Sequence, residues 1–257
     1  MGLNETMAGG NVQFLSLAAG KIVKRANEPF EGSKERTNKN GRVVHERMFG
    51  SIDGYITGIK WRESEIENKK VETMEVSVVD ASGEKYQLSM KSDSGYARSM
   101  MNVLLGVKDF SKVLRVFPYE IKDEKFAFPM TGISVYLKPN DLTSKVKKVH
   151  MTEKEYVERH GGVPQAGDVF LPAPNPVTFK GETVNDYGEQ VAFLKEQINL
   201  IVLPRIAEAA SVVRLNTSLA ASGSNFSEDA KDVAVPPSTM DRPTPMNNPD
   251  DLPFGDD

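Results

Sequence analysis

The chain has 257 residues, 39% of them apolar and 26% charged, with a formal net charge of -4. That suits one large domain, or one domain with appendages, and the absence of cysteine excludes disulfides and thiolate metal sites. No apolar run approaches the roughly 18 residues of a membrane-spanning helix, and the small, polar stretch Met1 to Asn11 lacks the basic start and apolar core of a secretion signal, so the expectation is a cytoplasmic protein with no membrane partner.

The net charge hides an asymmetry. From Asn216 to Asp257 there are eight acids and two bases, a net of -6, which leaves 30 bases and 28 acids, or +2, on the preceding residues. An acidic total therefore says little about the surface of the body.

In chain order, Phe14 to Ala26 predicts a long first strand interrupted at Ala18-Ala19-Gly20. The polar, Gly/Asn-rich segment Glu31 to Arg42 predicts a loop. Val43 to Trp61 predicts a long second strand, and Val71 to Asp80 with Glu84 to Lys91 a hairpin about Ala81-Ser82-Gly83. Ser92, Asp93 or Ser94 caps a helix carrying Met100, Met101, Val103, Leu104 and Leu105, which ends by Gly106. Two more strand-like runs follow, Lys112 to Ile121 and Phe126 to Lys138. Several strands, a helix and two further strands is the element order of an OB barrel. The first region, 1–151, is thus expected to be mainly β and of OB type with one inserted helix.

The second region, 152–215, opens on the capping box Thr152-Glu153-Lys154-Glu155, with a short helix that stops at Gly161-Gly162. A connector with Pro164, Pro172, Pro174 and Pro176 leads to Val191, Leu194, Ile198, Ile201, Val202 and Ile206 at helical spacing, where Pro204 is expected to kink or split the helix. This helical extension packs either on the barrel or on a partner subunit, so a monomer and a dimer both remain open. The third region, 216–257, holds six of the 15 prolines and few large apolar residues, and is expected to be disordered.

Side chains along a strand alternate faces. In the second predicted strand Val44, Met48, Ile52 and Ile56 suit a core. His45, Arg47, Phe49, Ser51, Tyr55, Thr57 and Trp61 mix aromatics, a base and hydroxyls on the other face. In the hairpin Met74, Val76, Val78, Tyr86, Leu88 and Met90 read as core, and Lys85, Gln87, Ser89 and Lys91 as the outer face. Lys60 and Arg62 flank the single tryptophan. Tyr96 and Arg98 stand on the helix, and the later strands add Arg115, Phe117, Tyr119, Phe128, Tyr136 and Lys138. Flat rings that stack on unpaired bases, interleaved with cations that neutralise phosphates, are what sequence-tolerant single-strand binding requires. A break in the alternation at Gly58-Ile59 marks a candidate bulge, which leaves the face of Trp61 open.

The chain closes on Asp250-Asp251-Leu252-Pro253-Phe254-Gly255-Asp256-Asp257. Here it resembles the bacterial and phage single-stranded-DNA-binding proteins, which end in a disordered linker and an acidic tip of the form Asp-Asp-Ile/Leu-Pro-Phe. The resemblance implies that Asp250, Asp251, Leu252, Pro253 and Phe254 dock on replication, recombination and repair proteins. Carboxylates would meet a basic rim, and the Pro-Phe pair would fill an apolar pocket. It also implies that the tail competes with DNA for the basic groove. In the bacterial members phenylalanine is the last residue and its α-carboxylate takes part in docking. Here Gly255-Asp256-Asp257 follow, so either Asp256 and Asp257 replace that carboxylate or the partner's pocket is open-ended. The alternative function on the same surface is a strand-annealing or recombination accessory.

Catalytic signatures are missing. There is no P-loop run, and His45, His150 and His160 are too scattered for a zinc set without cysteine. No nucleophile elbow is present. Asp53 and Asp80 are the nearest to candidates for a two-metal site. The expectation is a non-enzymatic protein with no cofactor.

Overall fold

A computed structural model describes residues 12–38, 41–66, 69–123, 129–165, 167–179 and 182–223. The protein is mainly β. Nine strands form one curled sheet: β1 Val12–Ala18, β2 Lys21–Ala26, β3 Lys34–Thr37, β4 Val43–Phe49, β5 Ile52–Ile66, β6 Lys69–Val79, β7 Lys85–Lys91, β8 Leu114–Ile121 and β9 Met130–Tyr136, in the spatial order β3-β4-β2-β1-β7-β6-β5-β8-β9. β1 and β7 pair in parallel, and the other neighbours are antiparallel. Helix α1, Gly95–Leu104, separates the β5-β6-β7 meander from the β8-β9 hairpin, and β8 pairs back on the start of β5.

The first predicted strand is two strands, because Ala19 (φ 48°) and Gly20 (φ 69°) both take the left-handed conformation of a tight hairpin turn. That turn meets β8. The Gly20 N–H donates to the Tyr96 hydroxyl at 2.8 Å, and a Cβ on Gly20 would lie 2.7 Å from the Glu120 amide nitrogen. The predicted loop Glu31 to Arg42 contains β3, which is exposed along its length. The second predicted strand breaks at Gly50-Ser51 into β4 and β5.

The concave side of the sheet carries the core. Leu15, Ile22, Ile56, Ile59, Met74, Val76, Val78, Leu88 and Met90 pack there with Met100, Met101 and Leu104 of α1. Ser94 caps α1 by accepting from the Ala97 N–H. Ser99 Oγ donates to the Ile133 carbonyl at 2.9 Å and accepts from the Ile133 N–H at 3.1 Å, which ties α1 to β9.

The helical extension belongs to the same core. Helix α2, Glu153–His160, has the expected capping box and a left-handed Gly161 at its end. A small hairpin that periodicity does not reveal follows, β10 Asn175–Phe179 with β11 Glu182–Asp186. Then α3, Gly188–Gln197, passes through a π-helical turn, Ile198–Val202, into α4, Leu203–Gly223. Pro204 has no N–H to return to Leu200, and the widened turn immediately before it absorbs that loss. Val191, Leu194, Ile198, Val202 and Ile206 complete the core, and the Arg205 guanidinium donates to the Leu105 and Val107 carbonyls at the end of α1. Helix α4 continues past Asn216 to Gly223, into the segment predicted to be disordered. The docking residues Asp250, Asp251, Leu252, Pro253 and Phe254, and Phe128, lie outside the described residues.

Candidate nucleic-acid interface

The convex side of the sheet has a different chemistry. Register fixes which residues share it, because directly paired side chains in an antiparallel ladder stand on the same face. Asp53 pairs with Arg115, and Arg115 with Tyr136; beyond them, outside the named strands, Tyr136 pairs with Lys145. These four residues form one row across the sheet. Arg115 donates from Nε and Nη2 to the two Asp53 carboxylate oxygens, both at 2.7 Å. Those bonds hold the arginine's pKa above its ordinary value.

The next rows along β8 and β9 add Phe117 opposite Ser134 and Tyr119 opposite Gly132. A Cβ at Gly132 would collide with the Tyr119 ring, so this glycine is what lets the ring lie across the neighbouring strand. Phe117 is 38% exposed.

The meander continues the surface. Tyr55, Lys60 and Arg62 of β5 face outward with Glu75 and Ser77 of β6 and Lys85, Gln87, Ser89 and Lys91 of β7. Arg62 lies 3.8 Å from Glu75, and Lys91 pairs with Asp93 at 2.7 Å. On β1, in register with Gln87, Phe14 is 64% exposed. Sequence reasoning passed over this ring, although the alternation of Phe14 and Ser16 with Leu15 and Leu17 marks it as outward.

A β-bulge between Ile56 and Gly58 resolves the face of Trp61. Before it, odd positions point outward, and after it even positions do. Ile59 and Trp61 therefore turn inward while Lys60 and Arg62 stay outside. Trp61 is half-buried against the core beneath α3, with Lys195 Nζ 4.9 Å from its ring centroid and its indole N–H buried without a partner. Lys195 also pairs with Glu72.

Other predicted residues also lie away from the convex face. Phe49 pairs with the buried Ile22 and packs on the concave side, and Arg47 stands over its ring at 5.0 Å while donating to the Glu31 carbonyl. Met48, expected in the core, is 52% exposed, because the break at Gly50-Ser51 reverses the alternation between β4 and β5. Its neighbour Glu46 is buried instead, held by Arg25 at 3.0 Å and Arg36 at 3.5 Å. Tyr96 is buried, and burial raises its pKa, so the protonated phenol serves as acceptor for Gly20. Arg98 stacks on the Tyr187 ring at 3.4 Å, and burial lowers its pKa.

Asp53 is committed to Arg115. Asp80 accepts from the Ser82 and Glu84 amides of its own turn at 2.9 Å each. Among the described residues no group of three or more His, Asp and Glu side chains is placed to hold a metal ion, and no helix is long and apolar enough to cross a membrane.

No protein-family model matches the chain, and neither the curated proteins nor the solved structures contain a match.

Proposed function

We propose that the chain binds single-stranded DNA across its convex sheet face, with an OB-type barrel as scaffold and the acidic tail as a docking arm for replication, recombination and repair proteins. One observation carries the reading: Phe14, Tyr55, Phe117, Tyr119 and Tyr136 share a solvent-facing sheet surface with Arg115, Lys60, Arg62, Lys85 and Lys91. Rings offer stacking surfaces to any base, and the cations release counterions from the backbone, so affinity comes with little sequence preference. The strand order supports the scaffold. A three-stranded meander, a helix, and a strand returning antiparallel to the first strand of the meander are features that an OB barrel shares.

The same face explains why binding would select single strands. Rings lying on a sheet need bases with free faces, and a duplex offers those faces only at its ends. Fluorescence anisotropy with labelled oligo-dT and with a duplex of equal length, each at several salt concentrations, tests the proposal. Expected is single-strand binding that weakens linearly in log-log form as salt rises, with the duplex weaker throughout. Equal binding of both, or none of either, overturns it.

A further inference from the structure

The segment after β9 carries the basic run Lys145-Val146-Lys147-Lys148, and its backbone is fixed to the body. Val146 donates its N–H to the Val135 carbonyl at 2.8 Å and is buried. Three residues on, the buried Asn102 of α1 accepts from the Val149 and His150 amides at 2.9 Å each and donates back to the His150 carbonyl. With Val146 turned inward, Lys145 and Lys147 face outward, and Lys145 stands in the same row as Arg115 and Tyr136.

Lys148 leads away from that row toward a further set of cations. Arg98 stands one helical turn before Asn102 on α1, on the side that holds the Val149 and His150 backbone. Burial lowers the Lys148 pKa, Glu155 raises it, and the cations Arg159, Arg98 and Lys145 lower it further. Glu155 is itself engaged in the α2 capping box, where it accepts from the Thr152 amide at 2.9 Å. Among the described residues none of Lys145, Lys147 and Lys148 lies within ion-pair distance of a carboxylate, whereas Lys91, Lys112 and Arg115 each do. Like charges gathered on a pinned backbone repel one another, and an anion that spans them relieves the repulsion.

We infer that Lys145, Lys147 and Lys148 form a phosphate track that carries the DNA backbone from the convex face around the β9 edge toward α1 and α2. This rests on the single-strand reading above and assigns the exit path of the strand. The ligand chemistry is a phosphodiester chain.

The test is the salt dependence of oligo-dT binding to the full chain. Each lost phosphate contact on a single strand lowers the log-log slope by about 0.7, so the triple variant Lys145→Gln, Lys147→Gln, Lys148→Gln is expected to lose about 2 from it. At 0.1 M salt the same arithmetic gives roughly fivefold weaker binding per contact and on the order of a hundredfold for three. The triple Lys→Arg variant should keep the wild-type slope, and a melting curve shows whether each variant is folded. An unchanged slope in the folded Gln variant overturns the track while leaving the function standing. Failure of the wild type to bind oligo-dT removes the function and the track together. Competition by inorganic phosphate beyond that of chloride at matched ionic strength overturns the track in favour of a discrete anion site.

Discussion

Lys195 holds its ammonium 4.9 Å from the centroid of the Trp61 ring and pairs with Glu72, so one side chain of α3 closes over the only tryptophan of the chain. The bulge at Ile56–Gly58 is the cause, since it turns Trp61 inward while Lys60 and Arg62 stay outside. Oligo-dT binding is therefore expected to leave Trp61 emission nearly unchanged while the anisotropy of the labelled strand rises. Strong quenching in proportion to saturation would contradict this placement. Lys195→Ala should make the indole more accessible to acrylamide. Trp61→Ala should destabilise the fold by about 3 kcal/mol, the lower end for a large ring that is only partly enclosed.

The rings of β8 respond differently. Phe117 and Tyr119 stand on the convex face, so Phe117→Ala and Tyr119→Ala should each weaken oligo-dT binding by about 1–3 kcal/mol. Stability should change less than affinity, as read by chemical denaturation beside the binding titration. Tyr96→Phe is the contrasting case. It strips the Gly20 N–H of its acceptor in a buried contact, and about 1–3 kcal/mol of stability should go with it. Its affinity for oligo-dT, measured well below the melting temperature, should match the wild type.

These contrasts mark what could be read from the residues. The hairpin alternation, a cap among Ser92, Asp93 and Ser94, the α2 capping box and the disturbance at Pro204 follow from local chemistry, and the structure has each of them, with Ser94 as the cap. The faces of Arg47, Phe49 and Trp61 did not follow. Period-two counting is reset by every irregularity, and the run from Val43 to Trp61 contains two, the break at Gly50-Ser51 and the bulge at Ile56–Gly58. The contacts of Tyr96 and Arg98 did not follow either, because an amphipathic helix does not disclose which polar tips find partners 76 or 89 residues away, Gly20 for one and Tyr187 for the other. The row Asp53-Arg115-Tyr136-Lys145 joins four separate segments and exists only through register.

That row makes a prediction with two signs. The Asp53 carboxylate holds Arg115 and also places a negative charge on the face proposed to meet phosphates. The pair is partly exposed, at 38% and 27% of the two side chains, so its contribution to stability is small, about 0–1 kcal/mol. Asp53→Asn should cost no more than that in stability and should tighten oligo-dT binding severalfold at low salt, with the gain fading as salt rises. Weaker binding would mean that Arg115 must be oriented by the carboxylate to be used at all. Arg115→Gln, measured beside it, should lose affinity and lower the salt slope by about 0.7.

The last prediction concerns charge at longer range. The segment from Asn216 carries a net -6 against +2 on the rest of the chain. On a chain that binds phosphates, a tethered polyanion acts as a local competitor for them, at an effective concentration set by the length of its linker. Removing residues 250–257 deletes four of the eight acids together with the Leu-Pro-Phe motif. Oligo-dT binding should then tighten at low salt and converge on the wild type once the Debye length falls to a few ångströms, near 1 M salt. Replacing Leu252 and Phe254 with Ala while keeping every carboxylate should leave DNA affinity alone and abolish capture of a docking partner. If both changes tighten DNA binding equally, the tail competes through its apolar tip rather than its charge. Unchanged or weaker binding in the truncation would falsify competition by the tail outright.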